Sequence, residues 1–296
     1  MSMSLVRAEL DPALSARVVE ARPLGPLSKP PAVRAGSAIL RAGDRLLVVQ
    51  DDAFEVVWVD LPSLALERLA LHGEGSPLPK FQKPDFEAAF AAPDGTLVIV
   101  GSASTSKRRF VARIKGSGSA VEIIDAGALF DAVTEAIGTT PNIEGAALIG
   151  ETVTLLHRGS GADPNASVDV PLEAFFGAAP PQSLSARRFD LGAIGAVPLT
   201  FTDAAPLGGD RLLYLAVAED TPNAIADGPI LGGAVGVIDS RGARYTRLLL
   251  ENGEPFTGKA EGIALDGSGR SGFLVTDPDS PDAPAELCRV VLEGPF

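Results

Sequence analysis

The chain has 296 residues, 46% of them hydrophobic, and its 38 Asp and Glu residues outnumber 25 Lys and Arg residues to give a net charge of −13. This length allows one large core. The acidic balance argues against a nucleic-acid partner, because phosphate backbones need clustered cations. The one cysteine, Cys288, excludes an intramolecular disulfide. Its strand-like context, ELCRVVL, favours a packed thiol over a nucleophile.

The N-terminal segment contains SARVVEARPL, residues 15–24, which predicts a strand ahead of the repeats described below. This segment lacks the continuous apolar run of a signal peptide. No segment elsewhere is apolar for long enough to span a bilayer. The sequence therefore predicts a cytoplasmic bacterial protein without a membrane partner.

Five segments of the chain resemble one another. Each has a strand of small residues, a turn rich in Gly or Asp, a β-branched strand and then polar residues. The segments are SAILRAGDRLLVVQDD from Ser37, FEAAFAAPDGTLVIVGSAS from Phe86, NIEGAALIGETVTLLHRGS from Asn142, FTDAAPLGGDRLLYLAVAED from Phe201 and AEGIALDGSGRSGFLVTDPD from Ala260. Further strands follow in most units, so the pattern predicts an all-β fold, a five-bladed β-propeller.

The fifth repeat ends one strand short, whereas the strand near Ser15–Pro23 has no unit of its own. We therefore expect this N-terminal strand to complete the last blade by pairing with residues 288–292. The ring would then be one domain, residues 1–296. A six-bladed propeller is the alternative, with the extra blade in the irregular stretch 160–200.

Two other segments have distinct patterns. Residues 125–138, DAGALFDAVTEAIG, place Leu129, Phe130, Val133 and Ile137 on one face and predict a helix, with Asp125 as a possible cap and Gly138 as its end. The basic cluster SKRRF, residues 106–110, predicts a solvated hairpin tip.

An acid stands near the start of four of the five first strands: Glu87, Glu144, Asp203 and Glu261, with Ser37 in the first unit. The first strand of a hairpin begins where the second ends. The second strands should therefore bring further polar residues to the same face: Asp51, Asp52, Ser102, Ser104, His157, Arg158, Glu219, Asp220, Asp277 and Asp279. We predict that both sets meet at one mouth of the channel.

Two interpretations of these acids stay open. Clustered carboxylates repel one another unless a cation intervenes, and oxygen-only ligands suit Ca²⁺ or Mg²⁺. The candidate metal ligands are Glu87, Glu144, Asp203, Glu261 and Asp277, the last within TDPDSPD. Alternatively, the carboxylates accept backbone hydrogen bonds from the next blade and connect neighbouring units without any metal.

The other polar residues at this face are candidates for catalysis and substrate binding. His157, beside Arg158, suits acid–base chemistry, although a lone histidine is also a common structural residue. Arg158 and Lys259 could hold an anionic substrate or neutralise the acids. Ser102 and Ser104 are the remaining candidate substrate-binding residues.

The motifs NIEGAALIG, AEGIALDG and VTDPDSPDAPAEL resemble bacterial propellers related to the "esterase-like activity of phytase" proteins, from about Ser37 onward. The resemblance implies a propeller with a polar face and metal-assisted hydrolysis of an ester or phosphoester. The motif that carries the resemblance is intact at Glu144 and Glu261. It is looser at Glu87, within PDFEAAF. The chain departs from the pattern at Asp203 and Ser37.

Two functions follow. One is a metal-dependent hydrolase, in which the acids hold a cation, His157 moves a proton and Arg158 holds a small anionic substrate. The other is a non-catalytic propeller that binds a small ligand or a protein. The sequence contains no nucleophile elbow, zinc-histidine cluster or phosphate-binding glycine loop. Propellers support both functions.

Overall fold

The computed structural model describes residues 3–25, 32–73, 78, 82–115, 120–161, 163–179, 183–221, 228–280 and 282–296. These residues form mainly β-strands, with one α-helix, α1 (Gly127–Ile137), and two short 3₁₀ helices at Ser106–Arg108 and Leu172–Phe176. Among them, no helix has both the length and the apolar character needed to cross a membrane.

The strands of the N-terminal half are β1 (Leu5–Leu10), β2 (Ser15–Pro23), β3 (Gly36–Ala42), β4 (Arg45–Gln50), β5 (Glu55–Asp60), β6 (Leu66–Ala70), β7 (Phe86–Ala91), β8 (Leu97–Gly101), β9 (Phe110–Lys115), β10 (Ala120–Asp125), β11 (Ile143–Ile149) and β12 (Thr152–His157). Those of the C-terminal half are β13 (Asn165–Pro171), β14 (Ser185–Asp190), β15 (Ala193–Ile194), β16 (Val197–Pro198), β17 (Thr200–Gly208), β18 (Arg211–Glu219), β19 (Ile230–Asp239), β20 (Gly242–Leu250), β21 (Ala260–Leu265), β22 (Ser271–Thr276) and β23 (Glu286–Glu293).

Strand pairing in the described residues divides the chain into five four-stranded antiparallel units. Unit 1 is β3–β6, unit 2 is β7–β10, unit 3 is β11–β14 and unit 4 is β17–β20. Unit 5 is β21–β23 with β2 as its outermost strand. The stretch 160–200 supplies the outer strands of unit 3 and the small β15–β16 hairpin rather than a separate four-stranded unit.

The first strands of the five units contact one another in a closed cycle. Strand β3 contacts β7, β7 contacts β11, β11 contacts β17, β17 contacts β21, and β21 contacts β3. Units arranged around an axis with their first strands innermost are the architecture of a β-propeller. The predicted all-β propeller is therefore confirmed, and we interpret the five units as its predicted blades.

The N-terminal strand closes the ring as the sequence predicts. Strand β2 pairs antiparallel with β23, with Ala16 opposite Leu292 and Ala21 opposite Cys288. Burial raises the pKa of the Cys288 thiol to about 12, in agreement with a packed thiol. Beyond the prediction, β2 also runs parallel to β20, and β1 pairs in parallel with both β14 and β20. The N-terminal segment thus joins units 3, 4 and 5.

The predicted helix forms between units 2 and 3. It buries Leu129, Phe130, Val133 and Ile137 in one apolar cluster with strands of both units. Full burial of side chains of this kind contributes roughly 1.5–3 kcal/mol each. Gly138 ends the helix in the left-handed conformation, with φ of 78°. Asp125 precedes the cap residue and accepts the N–H of Gly127 at 2.7 Å.

Every first strand carries a β-bulge near its start, where one residue is left without a cross-strand partner. The bulged residues are Ser37, Glu87, Glu144, Thr202 and Glu261. A bulge adds a residue on one strand only and redirects the local side chain. It thereby places one polar residue of each unit at the same level of the channel.

The position after the bulge explains the Glu-Gly motif of units 3 and 5. A Cβ on Gly145 would lie 2.8 Å from the backbone carbonyl carbon of Asp203 in unit 4. A Cβ on Gly262 would lie 2.9 Å from the backbone nitrogen of Ile39 in unit 1. Glycine is needed at both positions because the neighbouring first strands approach each other too closely for a side chain.

We expect Gly145→Ala to lower the free energy of unfolding by about 1–3 kcal/mol, because the added methyl group would have to displace the backbone of unit 4. The matched control is Gly267→Ala, since a Cβ there meets nothing within 4 Å. Urea unfolding of both variants measures the difference. Equal losses in the two variants would contradict the close approach of units 3 and 4.

Candidate functional site

The start of each first strand and the end of its second strand lie at one end of the channel, as the hairpin geometry predicts. The N–H of Ser102 donates to the carbonyl oxygen of Asp85 at 2.8 Å, and the N–H of Arg158 donates to that of Asn142 at 2.8 Å. We call this end the mouth. Its charged residues are Asp51, Lys83, Asp85, Glu87, Arg108, Glu144, Arg158, Glu219, Lys259, Glu261, Asp277 and Asp279.

Three carboxylates surround one lysine between units 1 and 2. Ligand oxygens of Asp51, Asp85 and Glu87 lie within 4.8 Å of one another. The ammonium of Lys83 contacts the carboxylate of Asp51 and lies 3.0 Å from Oδ1 of Asp85. Burial, followed by the charges of Asp51 and Asp85, raises the pKa of Glu87 well above its ordinary value. Lys83 therefore acts as an internal counter-ion for this group.

Both predicted substrate-binding serines hydrogen-bond to the same carboxylate. The hydroxyl of Ser102, which is fully buried, donates to Oδ2 of Asp85, and the hydroxyl of Ser104 donates to that oxygen at 3.2 Å. The guanidinium of Arg108 lies 2.8 Å from it. Arg108 belongs to the basic cluster SKRRF, so the prediction that this cluster is only a solvated hairpin tip is wrong for Arg108.

Arg158 connects three units on the other side of the mouth. Its Nη2 donates to Oε2 of Glu219 in unit 4 at 2.6 Å. Its Nη1 lies 3.6 Å from Oε2 of Glu144 in unit 3 and 3.9 Å from Oε1 of Glu261 in unit 5. Burial opposes the charge of Arg158, but these three carboxylates raise its pKa overall. The guanidinium is thus neutralised by acids, one of the two roles proposed for it.

Lys259 has the same kind of surroundings. Its Nζ donates to Oδ1 of Asp279 at 2.9 Å and lies 3.4 Å from Oε1 of Glu261 and 3.9 Å from Oε2 of Glu219. Burial favours the neutral acid of Glu219 and would raise its pKa. The charges of Lys259 and Arg158 outweigh burial, and the pKa of Glu219 is lowered overall. Glu219 is therefore held as a carboxylate by two cations.

Glu144 and Glu261 are buried acids beside Arg158 and Lys259. They are 6% and 4% exposed, and Glu144 accepts a hydrogen bond from Nδ2 of Asn142 at 2.5 Å. Oε1 of Glu261 has no hydrogen-bond partner among the described residues. Burial raises the pKa of both carboxyl groups, that of Glu261 to about 7. Both groups therefore resist ionisation in the protein as it stands.

Asp277, the fifth predicted metal ligand, follows the second strand of unit 5. Its Oδ1 accepts the N–H of Asp279 at 2.8 Å. Burial and then the Asp279 carboxylate raise the pKa of Asp277 well above its ordinary value. The structure thus places Asp277 at the mouth, in the same electrostatic group as Lys259.

Asp203 differs from the other predicted ligands. The bulged residue of unit 4 is Thr202, so the prediction that Asp203 is equivalent to Glu87, Glu144 and Glu261 is wrong by one residue. Asp203 is 2% exposed, and its Oδ2 accepts the N–H of Ile263 in unit 5 at 2.7 Å. Its carboxylate therefore connects two units, as the bracing interpretation describes.

Two hydroxyl groups at bulge positions also connect units. The Ser37 hydroxyl donates to the carbonyl oxygen of Phe86 at 2.6 Å, across the boundary between units 1 and 2. The Thr202 hydroxyl donates to that of Ala260 at 2.8 Å, across the boundary between units 4 and 5. The bulged residues are therefore of two kinds. The hydroxyl groups of two of them connect units, and the three glutamates make the mouth acidic.

His157 is buried at the end of β12. Its Nδ1 accepts the N–H of Asn142 at 2.9 Å, so the proton of the neutral ring is on Nε2. Nε2 has no hydrogen-bond partner among the described residues. Burial lowers the pKa of the imidazole to about 4. These features are those of a structural histidine, the alternative to acid–base catalysis. The acid–base role of His157 stays a prediction.

A cavity of about 370 Å³ opens at the mouth between units 3 and 4. Its polar floor contains Asn142 and the charged residues Glu144, Arg158, Glu219 and Lys259. Its apolar wall contains Leu5, Phe189, Leu191, Pro198 and Leu199. Two of the predicted substrate-binding residues, Arg158 and Lys259, thus line the cavity, whereas Ser102 and Ser104 do not.

Three charged residues of the mouth were missed by the sequence reasoning: Lys83, Asp85 and Arg108. Lys83 and Asp85 stand just before β7, and Lys259 stands just before β21. A lysine shortly before an acidic first strand is therefore a signal that two repeats share. Arg108 gave no such signal, because its contact with Asp85 depends on the turn between β8 and β9.

A model of the family described as "Family of unknown function (DUF6929)" matches residues 32–292, so the chain belongs to this family. A comparison with curated proteins found no match. The solved structures that are similar to the chain include three described here, each at low identity. The luciferin-regenerating enzyme has 9% identity and a TM-score of 0.48, with 95% of this chain and 97% of that chain covered.

Kuenenia stuttgartiensis hydrazine synthase has 12% identity and a TM-score of 0.44, with 82% of this chain and 74% of that chain covered. Streptogramin B lyase has 12% identity and a TM-score of 0.39, with 95% and 98% covered. Likenesses at this level say nothing about the function of this chain. The resemblance to phytase-like esterases also stays a prediction.

The raised pKa of Glu261 predicts how stability depends on pH. The folded protein binds this proton more tightly than the unfolded chain does, so the stabilisation is present below pH 4.5 and is lost as pH rises through about 7. Relative to Glu261→Gln, the wild type should therefore lose roughly 2–3 kcal/mol of unfolding free energy between about pH 4.5 and pH 7. Urea unfolding of both proteins across this range measures it. A pH-independent difference would show that Glu261 titrates normally.

Proposed function

We propose that this member of the DUF6929 family binds a small molecule in the cavity at the mouth of the channel. The main support is the cavity itself, about 370 Å³ in volume, with buried charged groups on one side and an apolar wall on the other. Small-ligand sites typically occupy about 300–1,000 Å³ and combine apolar walls with a few placed polar groups. Shifted pKa values, as in Glu144 and Glu219, also concentrate at such sites.

The polar floor of the cavity is held in place before any ligand arrives. Glu219 accepts the Arg158 guanidinium on Oε2 at 2.6 Å and the Gly228 N–H on Oε1 at 3.0 Å. Glu144 is fixed by the amide of Asn142. Fixed polar groups lower the entropy cost of binding, which supports a binding site over a passive surface groove.

A second candidate function is the metal-dependent hydrolase, which the group of Asp51, Asp85 and Glu87 favours. Three carboxylate oxygens within 4.8 Å of one another are donors of the kind that Ca²⁺ and Mg²⁺ prefer. A bound divalent ion would polarise an ester and lower the pKa of a water molecule. However, the ammonium of Lys83 already pairs with Asp51 and Asp85. The group therefore does not fit a metal ion while Lys83 stays between these carboxylates.

The cavity proposal predicts that filling the cavity abolishes ligand binding. Pro198 is exposed and lines the cavity, so Pro198→Trp should place an indole in it. Ala196→Trp is the matched control, because Ala196 is exposed in the same small hairpin and does not line the cavity. A thermal-shift screen of a metabolite library should give compounds that stabilise wild type and Ala196→Trp but not Pro198→Trp. Hits that stabilise all three proteins equally would contradict the proposal.

The position of Lys83 predicts a conditional response to calcium. We expect calcium to leave the melting temperature of wild type unchanged and to raise that of Lys83→Gln, because this variant removes the ammonium that pairs with Asp51 and with Oδ1 of Asp85. Lys107→Gln, at an exposed position, is the control for loss of a positive charge. Thermal melts with and without calcium chloride measure the response. Stabilisation of the wild type by calcium would instead favour the hydrolase.

A further inference from the structure

We propose that a second site, outside the mouth, binds a small organic carboxylate, whose charged head is held by two arginines and whose hydrocarbon body lies on an apolar wall. The site is a groove of about 490 Å³ between units 5 and 1, lined by Arg41 of unit 1 and Arg289 of unit 5, and we call it the lateral groove. Asp266 and Ser271, at the two ends of the turn between β21 and β22, also line it, so it opens at the end of the ring opposite the mouth. None of the residues that line the lateral groove lines the cavity at the mouth.

The lateral groove forms where the apolar contact between units 5 and 1 ends. Ile39 of unit 1 packs in one buried cluster with Leu287 of unit 5. Arg41 follows Ile39 by two residues in β3, and Arg289 follows Leu287 by two residues in β23. Alternate residues of a strand point to the same face of a sheet. Both arginines therefore extend the two surfaces that face each other, and both line the groove between them.

The guanidinium groups of these two arginines have no carboxylate partner among the described residues. Within that part of the chain, Arg289 makes no hydrogen bond and no ion pair. Arg41 donates from Nε to the carbonyl oxygen of Gly43, in its own turn, at 3.1 Å. A guanidinium carries five N–H donors, so both side chains keep donors that a ligand can use.

The two acids of the lateral groove are engaged by other groups. Glu20 pairs with Arg22, and Asp266 accepts the hydroxyl groups of Ser268 and Ser271. Three arginines and two acids thus line the groove, a net charge of +1 on a chain whose net charge is −13. This local positive charge attracts an anion and disfavours an amine.

An apolar wall lies beside the guanidinium groups, and its residues are Leu61, Pro62, Leu64, Phe273 and Leu287. Phe273 is directly opposite Arg289 in the pairing of β22 with β23, so the ring and the guanidinium are neighbours on one face. A carboxylate suits the charged side, because its two oxygens accept two parallel N–H bonds from one guanidinium. A hydrocarbon body suits the wall, and the groove volume is in the range of about 300–1,000 Å³ that is usual for small-ligand sites.

Isothermal titration calorimetry of the wild type with hexanoate, 1-hexanol, hexylamine and inorganic phosphate tests this inference. The first three probes share one hydrocarbon chain and differ in charge at neutral pH, and phosphate is an anion without an apolar body. With ionic strength held constant, we expect hexanoate to bind at millimolar concentration and the other three to give no binding heat. Arg289→Gln and Arg41→Gln should each weaken hexanoate binding about tenfold or more, because each removes charge-assisted hydrogen bonds.

Arg247→Gln is the matched control, since Arg247 is exposed on β20, does not line the groove, and its loss changes the net charge equally. Pro198→Trp, which fills the cavity at the mouth, should bind hexanoate like the wild type. Circular dichroism establishes that each variant is folded, and if one arginine variant is not, the other carries the test. No heat with hexanoate, equal binding of hexanol or hexylamine, or preference for phosphate would overturn the inference. So would unchanged affinity in a folded arginine variant, or loss of binding in Pro198→Trp, which would assign hexanoate to the mouth instead.

Discussion

The close approach of five first strands around one axis is the constraint on which the rest of the structure depends. Each first strand contacts the first strands of both neighbouring units, so its residues meet backbone where an ordinary strand would meet side chains. Gly145 and Gly262 have no room for a Cβ, and Ala38 and Ala88 follow the bulges of units 1 and 2. The polar group that each unit brings to the mouth is on the bulged residue just before this crowded position. The recurrent Glu-Gly motif thus combines an acid at the mouth with the glycine that strand packing requires.

The same crowding forces charges of different units into contact. Lys83, before unit 2, pairs with Asp51 of unit 1, and Arg158 of unit 3 pairs with Glu219 of unit 4. Connecting units and forming a site are therefore not exclusive alternatives for these residues, because each buried ion pair does both. Breaking such a pair leaves an uncompensated buried charge, which costs more than the net contribution of the intact pair. The mouth is consequently stable only as a network, and burial keeps the pKa values of Glu87, Glu144 and Glu261 raised within it.

Most of the architecture could be predicted from the sequence, because turns, strand alternation and repeats are local signals. The closure of the ring by β2 and the helix α1 followed from such signals and are confirmed. The positions of Glu87, Glu144 and Glu261 also followed, since the bulge precedes a recognisable small residue in each case. Asp203 was misplaced because a bulge shifts the pairing by one residue without changing the alternation of the strand. Lys83 and Asp85 were missed because they precede the aligned first strand of unit 2, although a lysine also precedes the acidic first strand of unit 5.

The two sides of the mouth differ in a way that separates bracing from binding. Between units 1 and 2, Lys83 and Arg108 offset most of the charge of Asp51, Asp85 and Glu87, and the serine hydroxyls complete the hydrogen bonds of Asp85. That side is nearly balanced and needs nothing further. On the side of units 3 to 5, two cations face five carboxyl groups, and one oxygen of Glu261 is left without a donor. The cavity adjoins this second side. An unbalanced buried group is costly unless a partner completes it, so the network braces the units less completely on this second side than on the first.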